Sequence, residues 1–217
     1  MKNLLLSLFG LFTIVAFAQD EVDAKSQKIL NELSAKTKNY KSIQASFNST
    51  MENKQANLNI KQKGNLILEG TSYILNLEEY KIINDGKTNW TIAIEDEEVI
   101  VENAADLMEE NNIDPSKIFT IWEDGFKHKY EKETTINGVV CHLIKLFPKD
   151  AANKNFHTLA LYIDKAKMEI KKVKVSGKSG ETYTYDVSTF SGSTEPSNAS
   201  FAFKTSEYPD FDIIDNR

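Results

Sequence analysis

The sequence predicts a mainly β protein of the α+β class, in which one N-terminal helix precedes a curved antiparallel sheet or barrel. Helical spacing of apolar residues occurs near the start of the chain, whereas most later segments alternate apolar and polar residues as strands do. Turn signals, including Asp85-Gly86 and Asn137-Gly138, separate successive alternating runs. Consecutive strands with one apolar face each form a curved sheet or a barrel.

Residues 1–18 have the pattern of a cleavable secretory signal peptide. Lys2 precedes the apolar stretch Leu4–Val15, and the small-x-small ending Ala16-Phe17-Ala18 follows it. The alternative is a membrane anchor, but the stretch is short for a span of about 20 residues. No cysteine lies near the cleavage point, so a lipid anchor is not expected. We therefore expect a soluble, exported chain that begins at Gln19.

Residues 19–217 are predicted to form a single domain, because no Pro/Gly/Ser-rich linker or internal repeat divides them. The formal net charge is −6 and becomes −7 when Lys2 is removed. An acidic surface argues against binding to nucleic acid or to an anionic membrane surface. Cys141 is the single cysteine, and the alternating run around it predicts a small buried apolar residue rather than a reactive thiol.

A helix is predicted over Asp20–Tyr40, with an aspartate as its N-cap and Val22, Ile29, Leu33 and Tyr40 close to one face. The first predicted strand follows at Leu58–Glu69. In that strand Leu58, Ile60, Leu66 and Leu68 share one face, while the residues between them are polar or glycine with one exception.

Further strands are predicted on both sides of an insertion. Thr71–Leu77 places Tyr73, Leu75 and Leu77 together, and Trp90, Ile92 and Ile94 alternate after a hairpin turn. In that turn both Asp85 and Gly86 are expected to have positive φ. The later predicted strands are Lys127–Ile136, Val139–Phe147, Phe156–Asp164, Lys167–Ser176 and Glu181–Phe190.

The insertion, Asn103–Phe126, contains a short helical signal between strands. Asp114-Pro115 is a helix start, because a capping residue precedes proline at the first helical position. Ile118, Phe119, Ile121 and Trp122 make the next turn apolar and aromatic. Two interpretations remain open: a helix that plugs one end of a barrel, and a movable lid over an apolar cavity.

The sequence contains no catalytic motif, so we expect neither enzyme activity nor a cofactor. His128, His142 and His157 lie on separate predicted strands without the spacing of zinc ligands. No G-x-S-x-G, Walker or G-x-G-x-x-G motif is present. The acidic run Glu95–Glu98 lacks the glycine turn and ligand spacing of a calcium loop. Gly177–Gly180 joins two strands and predicts a β-hairpin rather than a nucleophile turn.

Several segments follow the amphipathic helix that ends near Tyr40: Ile43-Gln44-Ala45-Ser46-Phe47, Gln62-x-Gly64-x-Leu66, Asp85-Gly86-Lys87-Thr88-x-Trp90, Asn198–Phe203 and Asp212–Asp215. Together they resemble the periplasmic outer-membrane lipoprotein carrier family of the Lol pathway, the LolA-like carriers. The likeness extends over nearly the whole chain after the signal. It implies an incomplete antiparallel β-barrel with a short helical lid over an apolar cavity.

The resemblance also implies function. The cavity would take the acyl chains of lipoproteins from an inner-membrane transporter and deliver them to an outer-membrane acceptor, in the periplasm and as a monomer. We expect the apolar faces of Leu58–Leu68, Tyr73–Leu77, Trp90–Ile94 and Leu159–Ile163 to meet in one incompletely filled interior. The candidate cavity residues are Leu66, Leu68, Tyr73, Leu75, Leu77, Trp90, Ile92, Ile94, Leu161 and Ile163, with Ile118, Phe119 and Trp122 in the lid.

One departure from the family concerns the lid. Better-known members carry an arginine shortly after the Gly64-x-Leu66 strand, and it holds the lid by hydrogen bonds. Here the corresponding residues are Leu68-Glu69-Gly70-Thr71, and the single arginine of the chain is Arg217. We therefore expect the lid to be held mainly by apolar contacts.

Three alternatives use the same sequence features. A lipocalin-like binder of a small apolar molecule or lipid would share the barrel. An envelope-stress sensor built on it usually carries a second C-terminal domain, which the sequence after Asp215 does not indicate. A secreted hydrolase would need a clustered acid pair with perturbed pKa values.

Overall fold

The structure, a computed structural model, describes residues 23–106 and 115–217, and within these ranges it contains one α-helix and one sheet of twelve strands. Helix α1 spans Ala24–Lys38. The strands are β1 (Ser42–Asn53), β2 (Leu58–Glu69), β3 (Ser72–Asn76), β4 (Tyr80–Asn84), β5 (Thr88–Ala93), β6 (Glu98–Asn103), β7 (Phe126–Ile136), β8 (Val139–Pro148), β9 (Phe156–Asp164), β10 (Ile170–Gly177), β11 (Glu181–Ser193) and β12 (Asp212–Asp215). The signal peptide and the residues Asp20, Val22 and Asp114 lie outside the described ranges.

The strands form an open, curved sheet that is not closed into a barrel. Their order is β12-β6-β5-β4-β3-β2-β1-β11-β10-β9-β8-β7, so β12 and β7 are the edges. Neighbouring strands are antiparallel except β12, which runs parallel to β6. The pairing of β1 with β11 joins the two meanders β1–β6 and β7–β11. The predicted mainly β fold with an N-terminal helix is confirmed.

The two predicted hairpin turns differ in backbone conformation. Asn137 and Gly138 both have positive φ, of 48° and 81°, as a two-residue turn with a matching twist requires. In the earlier turn only Gly86 has positive φ, of 89°, and β5 begins after Lys87. The expectation for Asp85 is therefore wrong. Its carboxylate instead accepts hydrogen bonds from the backbone N–H groups of Lys87 and Thr88.

Asp23 caps the N-terminus of α1 and attaches the helix to the edge strand β7. Its Oδ1 accepts hydrogen bonds from the backbone N–H groups of Lys25 and Ser26, which are unpaired donors of the first turn. Its Oδ2 accepts from the backbone N–H of Tyr130 in β7 at 2.6 Å. Partial burial opposes the charged form, but these hydrogen bonds outweigh it and lower the pKa of Asp23.

The sheet has an apolar cluster on each face. The inner cluster joins the buried side of α1, including Leu30 and Leu33, to residues of β1, β2, β3 and β8–β10. The outer cluster consists of Ile83, Ile92, Val99 and Val101, packed against Trp90, Phe203, Tyr208 and Phe211. The segment that follows β11 thus covers the outer face of β4–β6.

The outer cluster corrects the prediction that Trp90–Ile94 faces the same interior as Leu66. Register pairs Ile83 with Trp90, whereas Ile82, one residue earlier on β4, packs against the inner cluster. Because successive residues of a strand point to opposite faces, Trp90 lies on the outer side. Its indole stacks on the ring of Phe203, with centroids 5.9 Å apart and an interplanar angle of 17°.

Candidate functional site

An apolar cavity of about 200 Å³ lies between the inner face of the sheet and the segment that begins at Pro115. Its walls come from β1, β2, β3, β10 and β11, and the segment after Pro115 supplies its cover. The lining residues are Ala45, Phe47, Leu66, Leu75, Pro115, Ile118, Phe119, Ile170, Val173, Tyr185 and Val187. Among the described residues of this lining, only Tyr185 has a polar side-chain group, and burial raises the pKa of its hydroxyl.

Strand register explains why these side chains meet. Ala45 pairs with Leu66, and Leu66 pairs in turn with Leu75, so the three lie side by side on one face. On the other side of β1, Phe47 pairs with Val187. The ring of Phe47 contacts that of Tyr185 edge to face at 5.9 Å. Each of these strands therefore contributes one or two side chains to the same wall.

Gly64 makes room for Phe47. The two residues are paired across β1 and β2, and a Cβ placed on Gly64 would lie 2.3 Å from the Phe47 ring. Such a distance is far below van der Waals contact, so the absence of a side chain lets the ring lie against β2 rather than project into the cavity. The Gly64-x-Leu66 pair thus has a local packing role at the cavity.

The lid segment contains two separate 3-10 turns, Pro115–Lys117 and Ile121–Glu123, rather than one continuous helix. The sequence predicted a short helix after Asp114-Pro115, and from Pro115 onward these two turns replace it. Ile118 and Phe119 cover the cavity, and Phe119 packs edge to face on Phe190 with centroids 5.5 Å apart. Short 3-10 pieces with poorer hydrogen bonds are usual where a connector is fixed by packing.

Trp122 lies away from the cavity and is attached to α1. Only 4% of its surface is exposed, and its indole Nε1 donates a hydrogen bond to Ser34 Oγ at 2.8 Å. The next residue, Glu123, forms a salt bridge with α1, in which its Oε1 lies 2.8 Å from Lys38 Nζ. Partial burial raises the pKa of Glu123, but Lys38 and Ser34 lower it by more than burial raises it. The net pKa is therefore below its ordinary value, and the carboxylate is charged. The sequence predicted mainly apolar contacts for the lid. Ile118, Phe119, Ile121 and Trp122 do pack on the inner cluster, and these two polar contacts, which were not predicted, add to that packing.

A second, larger cleft of about 760 Å³ lies between α1 and the segment that leads into β7. Leu30, Trp122 and Phe126 provide apolar surface, while the remaining lining is largely polar or charged. The other lining residues are Gln27, Asn31, Ser34, Ala35, Lys38, Glu123, Lys127, His128 and Lys149. Trp122 and Glu123 thus belong to this cleft, whereas Pro115, Ile118 and Phe119 belong to the apolar cavity.

The structure separates the residues predicted for the site into four groups. Leu66, Leu75, Ile118 and Phe119 line the apolar cavity. The inner cluster also contains Leu68, Tyr73, Leu161 and Ile163, which are buried but do not line the cavity. Leu77 is half-buried beside Gly64. Trp90 and Ile92 lie in the outer cluster, with Ile94 exposed by 45% on the same strand. Trp122 contacts α1.

Sequence reasoning missed the cavity residues of β1, β10 and β11, and the two residues of α1 that hold the lid. The alternation of Ile43, Ala45 and Phe47 is a usable signal for β1. Ser34 and Lys38, four residues apart, share one face of a helix, but this spacing does not show what they contact.

The described residues contain no group of three or more His, Cys, Asp or Glu side chains arranged to hold a metal ion. In those same ranges no helix is long and apolar enough to cross a membrane. Cys141 is fully buried and unpaired with another cysteine, and burial raises the pKa of its thiol.

Comparison with known families now adds to this geometry. Residues 38–204, well over half of the chain, match the family described as outer membrane lipoprotein carrier protein LolA. The chain belongs to the LolA family. The match includes every strand that walls the cavity and the described part of the lid segment. This fold points to the binding of lipids or lipoproteins.

Solved structures of low sequence identity are similar to this chain. An uncharacterised conserved protein from Thermus thermophilus aligns with a TM-score of 0.52 and 11% identity, covering 88% of this chain and 99% of that one. LppX, a lipoprotein from Mycobacterium tuberculosis, aligns with a TM-score of 0.48, 11% identity and coverage of 80% and 99%. A LolA superfamily protein from Nitrosomonas europaea has a TM-score of 0.43, 12% identity and coverage of 82% and 97%. No curated protein matches the sequence.

Proposed function

We propose that this LolA family member is a periplasmic carrier that holds the acyl chains of lipoproteins in its apolar cavity and delivers them to the outer membrane. The observation that carries the proposal is the apolar lining of the cavity, where, among the lining residues that the structure describes, Tyr185 alone has a polar side-chain group. An acyl chain needs such a surface, because it cannot form hydrogen bonds. Polar groups in the lining would lose their hydrogen bonds to water when the chain covered them. An inner-membrane transporter and an outer-membrane acceptor are the partners that this role requires.

The size of the cavity supports a movable lid. Ligand pockets usually measure about 300–1,000 Å³, and the volume of about 200 Å³ falls below that range. A long acyl chain therefore needs the segment at Ile118 and Phe119 to move outward. Burying one methylene contributes about 0.8 kcal/mol, so several chains would give tens of kcal/mol without some opposing cost. Displacement of the lid supplies part of that cost and allows release.

The proposed role is binding without chemical conversion. Among the described residues that line the cavity, Tyr185 alone carries a polar side-chain group, and burial raises the pKa of its hydroxyl, so it stays protonated at neutral pH. A general base or a nucleophile at neutral pH needs the opposite arrangement.

The test is recovery of bound lipoprotein from the native host, combined with a cavity-filling variant. Ala45 is 6% exposed and lines the cavity, so Ala45→Leu should reduce the bound lipoprotein that copurifies. Ala160→Leu is the matched control, because Ala160 is 8% exposed but pairs with Lys145 and does not line the cavity. Equal recovery from both variants and the unmodified protein, or no lipoprotein from any of them, would contradict the carrier function.

A second candidate function is storage or transport of one small apolar molecule or lipid, as in lipocalin-like binders. The volume of about 200 Å³ favours it, because a small ligand would fit with less movement of the lid. Mass spectrometry of material extracted from the purified protein separates the two functions. A triacylated or diacylated peptide supports the carrier, whereas a free apolar compound supports the alternative.

A further inference from the structure

Three large apolar or aromatic side chains, those of Met51, Ile60 and Tyr183, lie side by side near one end of the sheet and form an apolar strip. Met51 pairs with Ile60 on one side and with Tyr183 on the other, so the three make one row across β2, β1 and β11. Ile60 is 52% exposed and Tyr183 is 39% exposed. Single exposed apolar residues are ordinary, but adjacent ones form a patch, and such patches are typical of binding surfaces.

The strip lies on the same face of the sheet as the cavity. On β1, Met51 comes four positions after Phe47, and on β11, Tyr183 comes two positions before Tyr185. Residues an even number of positions apart on a strand share a face. β1 and β2 pair without a register shift, so Ile60 lies on this face with its partner. Because Phe47 and Tyr185 line the cavity, the strip continues the cavity wall.

One row of side chains lies between the strip and Phe47. It consists of Val173, Tyr185, Ser49 and Gln62, none of which is charged, and two of which line the cavity. Ser49 is buried, and its hydroxyl donates to the backbone oxygen of Gln62 at 3.5 Å. At about 3.3 Å per residue, the strip begins about 13 Å along β1 from Phe47. An acyl chain that leaves the cavity past Tyr185 therefore reaches the strip without crossing a charged side chain of this face.

The cavity alone is small for a long acyl chain. Its volume of about 200 Å³ is below the usual range for ligand pockets, about 300–1,000 Å³. Outward movement of the lid enlarges the cavity, and the strip adds apolar surface outside it. The polar end of an acylated ligand stays in water, because its burial without hydrogen bonds is costly. The chain therefore enters with its methyl end first, and the segment next to the polar end remains outside.

We propose that the apolar strip binds the segment of a long acyl chain that adjoins the polar end of the ligand, while the cavity holds the methyl end. The inference rests on the proposed function in one respect, since it takes the ligand to be acylated. One row beyond the strip, Asn53 pairs with Glu181 and with Leu58, so the face becomes partly polar where the polar end emerges. Chains that end within the cavity do not reach the strip, and longer chains do.

The experiment compares octanoyl and myristoyl lysophosphatidylcholine, which differ only in chain length, below their micelle concentrations. Affinities are measured by displacement of an apolar fluorescent probe. Combining Ile60→Thr with Tyr183→Thr should weaken myristoyl binding by about tenfold, since covering one methylene changes affinity by about fourfold. Binding of the octanoyl lipid should be unchanged. Equal weakening of the two lipids, or no weakening of either, would overturn the proposal.

Ile213→Thr is the matched control for Ile60→Thr. Ile213 is 45% exposed, and it pairs with Val99 of the outer cluster, so it lies on the other face of the sheet. Ile60→Thr alone should weaken the myristoyl lipid by about threefold, whereas Ile213→Thr should leave both lipids unchanged. Equal losses with these two variants would overturn the proposal.

A second measurement locates the chain. A myristoyl lipid with a spin label next to the polar end of its chain should broaden the methyl NMR signals of Met51 and Ile60 and leave that of Ile213 sharp. Equal broadening of all three signals would overturn the proposal, as would broadening of Ile118 in the lid without Met51 and Ile60.

The failures of the two proposals are distinguishable. If Ala45→Leu weakens both lipids while the double variant of the strip changes neither, the strip proposal fails and the acyl cavity stands. If the strip variant weakens the myristoyl lipid while Ala45→Leu changes neither, the strip stands as an acyl-binding surface and the cavity fails. If the unmodified protein forms a dimer that the strip variant abolishes, and both lipids bind that variant normally, the strip is a contact between copies and the proposal is wrong.

Discussion

Trp90 stabilises the outer face of the sheet by stacking on Phe203. Trp90→Ala should lower the free energy of unfolding by about 2 kcal/mol, below the ~3–5 kcal/mol of a fully buried aromatic, because Trp90 is only half-buried. Binding of an apolar fluorescent probe should remain unchanged. Leu75→Ala is the matched comparison, because Leu75 is also half-buried but lines the cavity, and it should change probe affinity. Urea unfolding and probe titration measure the two effects. Weaker probe binding by Trp90→Ala would contradict the assignment to the outer face.

Gly64 offers a second test at the scale of one residue. Gly64→Ala should push the Phe47 ring away from β2 and towards the cavity, because the added Cβ would lie 2.3 Å from that ring. The uptake of an acyl probe should then fall by several-fold, with a loss of stability of about 1–3 kcal/mol typical of overpacking. Fluorescence titration and urea unfolding measure these quantities.

A double substitution identifies the cause. In a Phe47→Leu background the shorter side chain no longer meets the new methyl group, so Gly64→Ala should have a smaller effect on probe uptake. Equal effects in both backgrounds would show that the packing against Phe47 is not responsible.

His142 gives the protein a pH-dependent stability. It is 8% exposed, its Nδ1 has no hydrogen-bond partner among the described residues, and Glu133 Oε1 lies 3.9 Å away. Burial lowers the pKa of His142 below its ordinary value of 6.5, and the charge of Glu133 opposes this only in part. The unfolded chain therefore binds this proton more readily than the folded one. Stability from His142 is complete above pH 6.5 and decreases as the pH falls from 6.5 towards the folded pKa.

Comparison with His142→Gln isolates this contribution. When the pH is lowered from 7.5 to 5.5, the unfolding free energy measured in urea should fall more for the unmodified protein than for His142→Gln. His157→Gln is the control, because His157 is exposed. Parallel pH profiles for the unmodified protein and His142→Gln would disprove the effect.

The lid segment is the element whose polar attachment was not predicted. Removal of the hydrogen bond from Trp122 to Ser34 and of the ion pair between Glu123 and Lys38, by combining Ser34→Ala with Glu123→Gln, should free the second 3-10 turn from α1. A hydrogen bond contributes about 1 kcal/mol and an exposed ion pair about 0.2–1 kcal/mol, so opening should become roughly tenfold more frequent. Hydrogen exchange at the amides of Ile118, Thr120 and Glu123, which donate within the segment, should accelerate accordingly.

The control removes an ion pair elsewhere. Glu207→Gln eliminates the exposed pair with Lys204 in the C-terminal segment and should leave the lid amides unchanged. If the lid amides of the double variant exchanged as slowly as those of β1 and were unaffected by acyl ligands, the segment would be a fixed plug.

Among the elements, hairpins were predicted well because their signals are local. Asn137-Gly138 specifies a turn by the conformations that these two residues tolerate, and the flanking alternation then determines β7 and β8. The face of β5 was predicted incorrectly because alternation gives the period of a strand and not the side on which its partners lie. Ile82 and Ile83 are adjacent apolar residues that face opposite sides, which indicates that apolar side chains pack on both faces of this part of the sheet.

For the whole molecule, the fold class followed from the sequence, whereas the site followed only in part. Leu66, Leu75, Ile118 and Phe119 were identified because each belongs to a segment with a clear pattern. The contacts of Ser34 with Trp122 and of Trp90 with Phe203 join residues far apart in the chain. No local pattern predicts such pairs, since they depend on the route of the chain between the elements.

The C-terminal segment is predicted to matter for the entire fold. Deletion of residues 201–217 would remove Phe203, Tyr208, Phe211 and β12, and would uncover Ile92 and Val99, both fully buried. We expect loss of cooperative unfolding in β4–β6 and aggregation, measured by calorimetry and light scattering. Deletion of residues 216–217 alone is the control and should have little effect. A monomeric, cooperatively unfolding 1–200 chain would contradict this expectation.

The parallel pairing of β12 with β6 constrains the order in which a newly made chain can complete its structure. β6 ends at Asn103, whereas its partner begins at Asp212. Because the chain is made from its N-terminus, the edge of β6 and the apolar surface beside it stay uncovered until more than 100 further residues, up to β12, have been made. An unpaired edge of this kind invites association with other chains, and contacts distant in sequence form slowly. The interval before β12 arrives is therefore the period in which this protein most needs a chaperone.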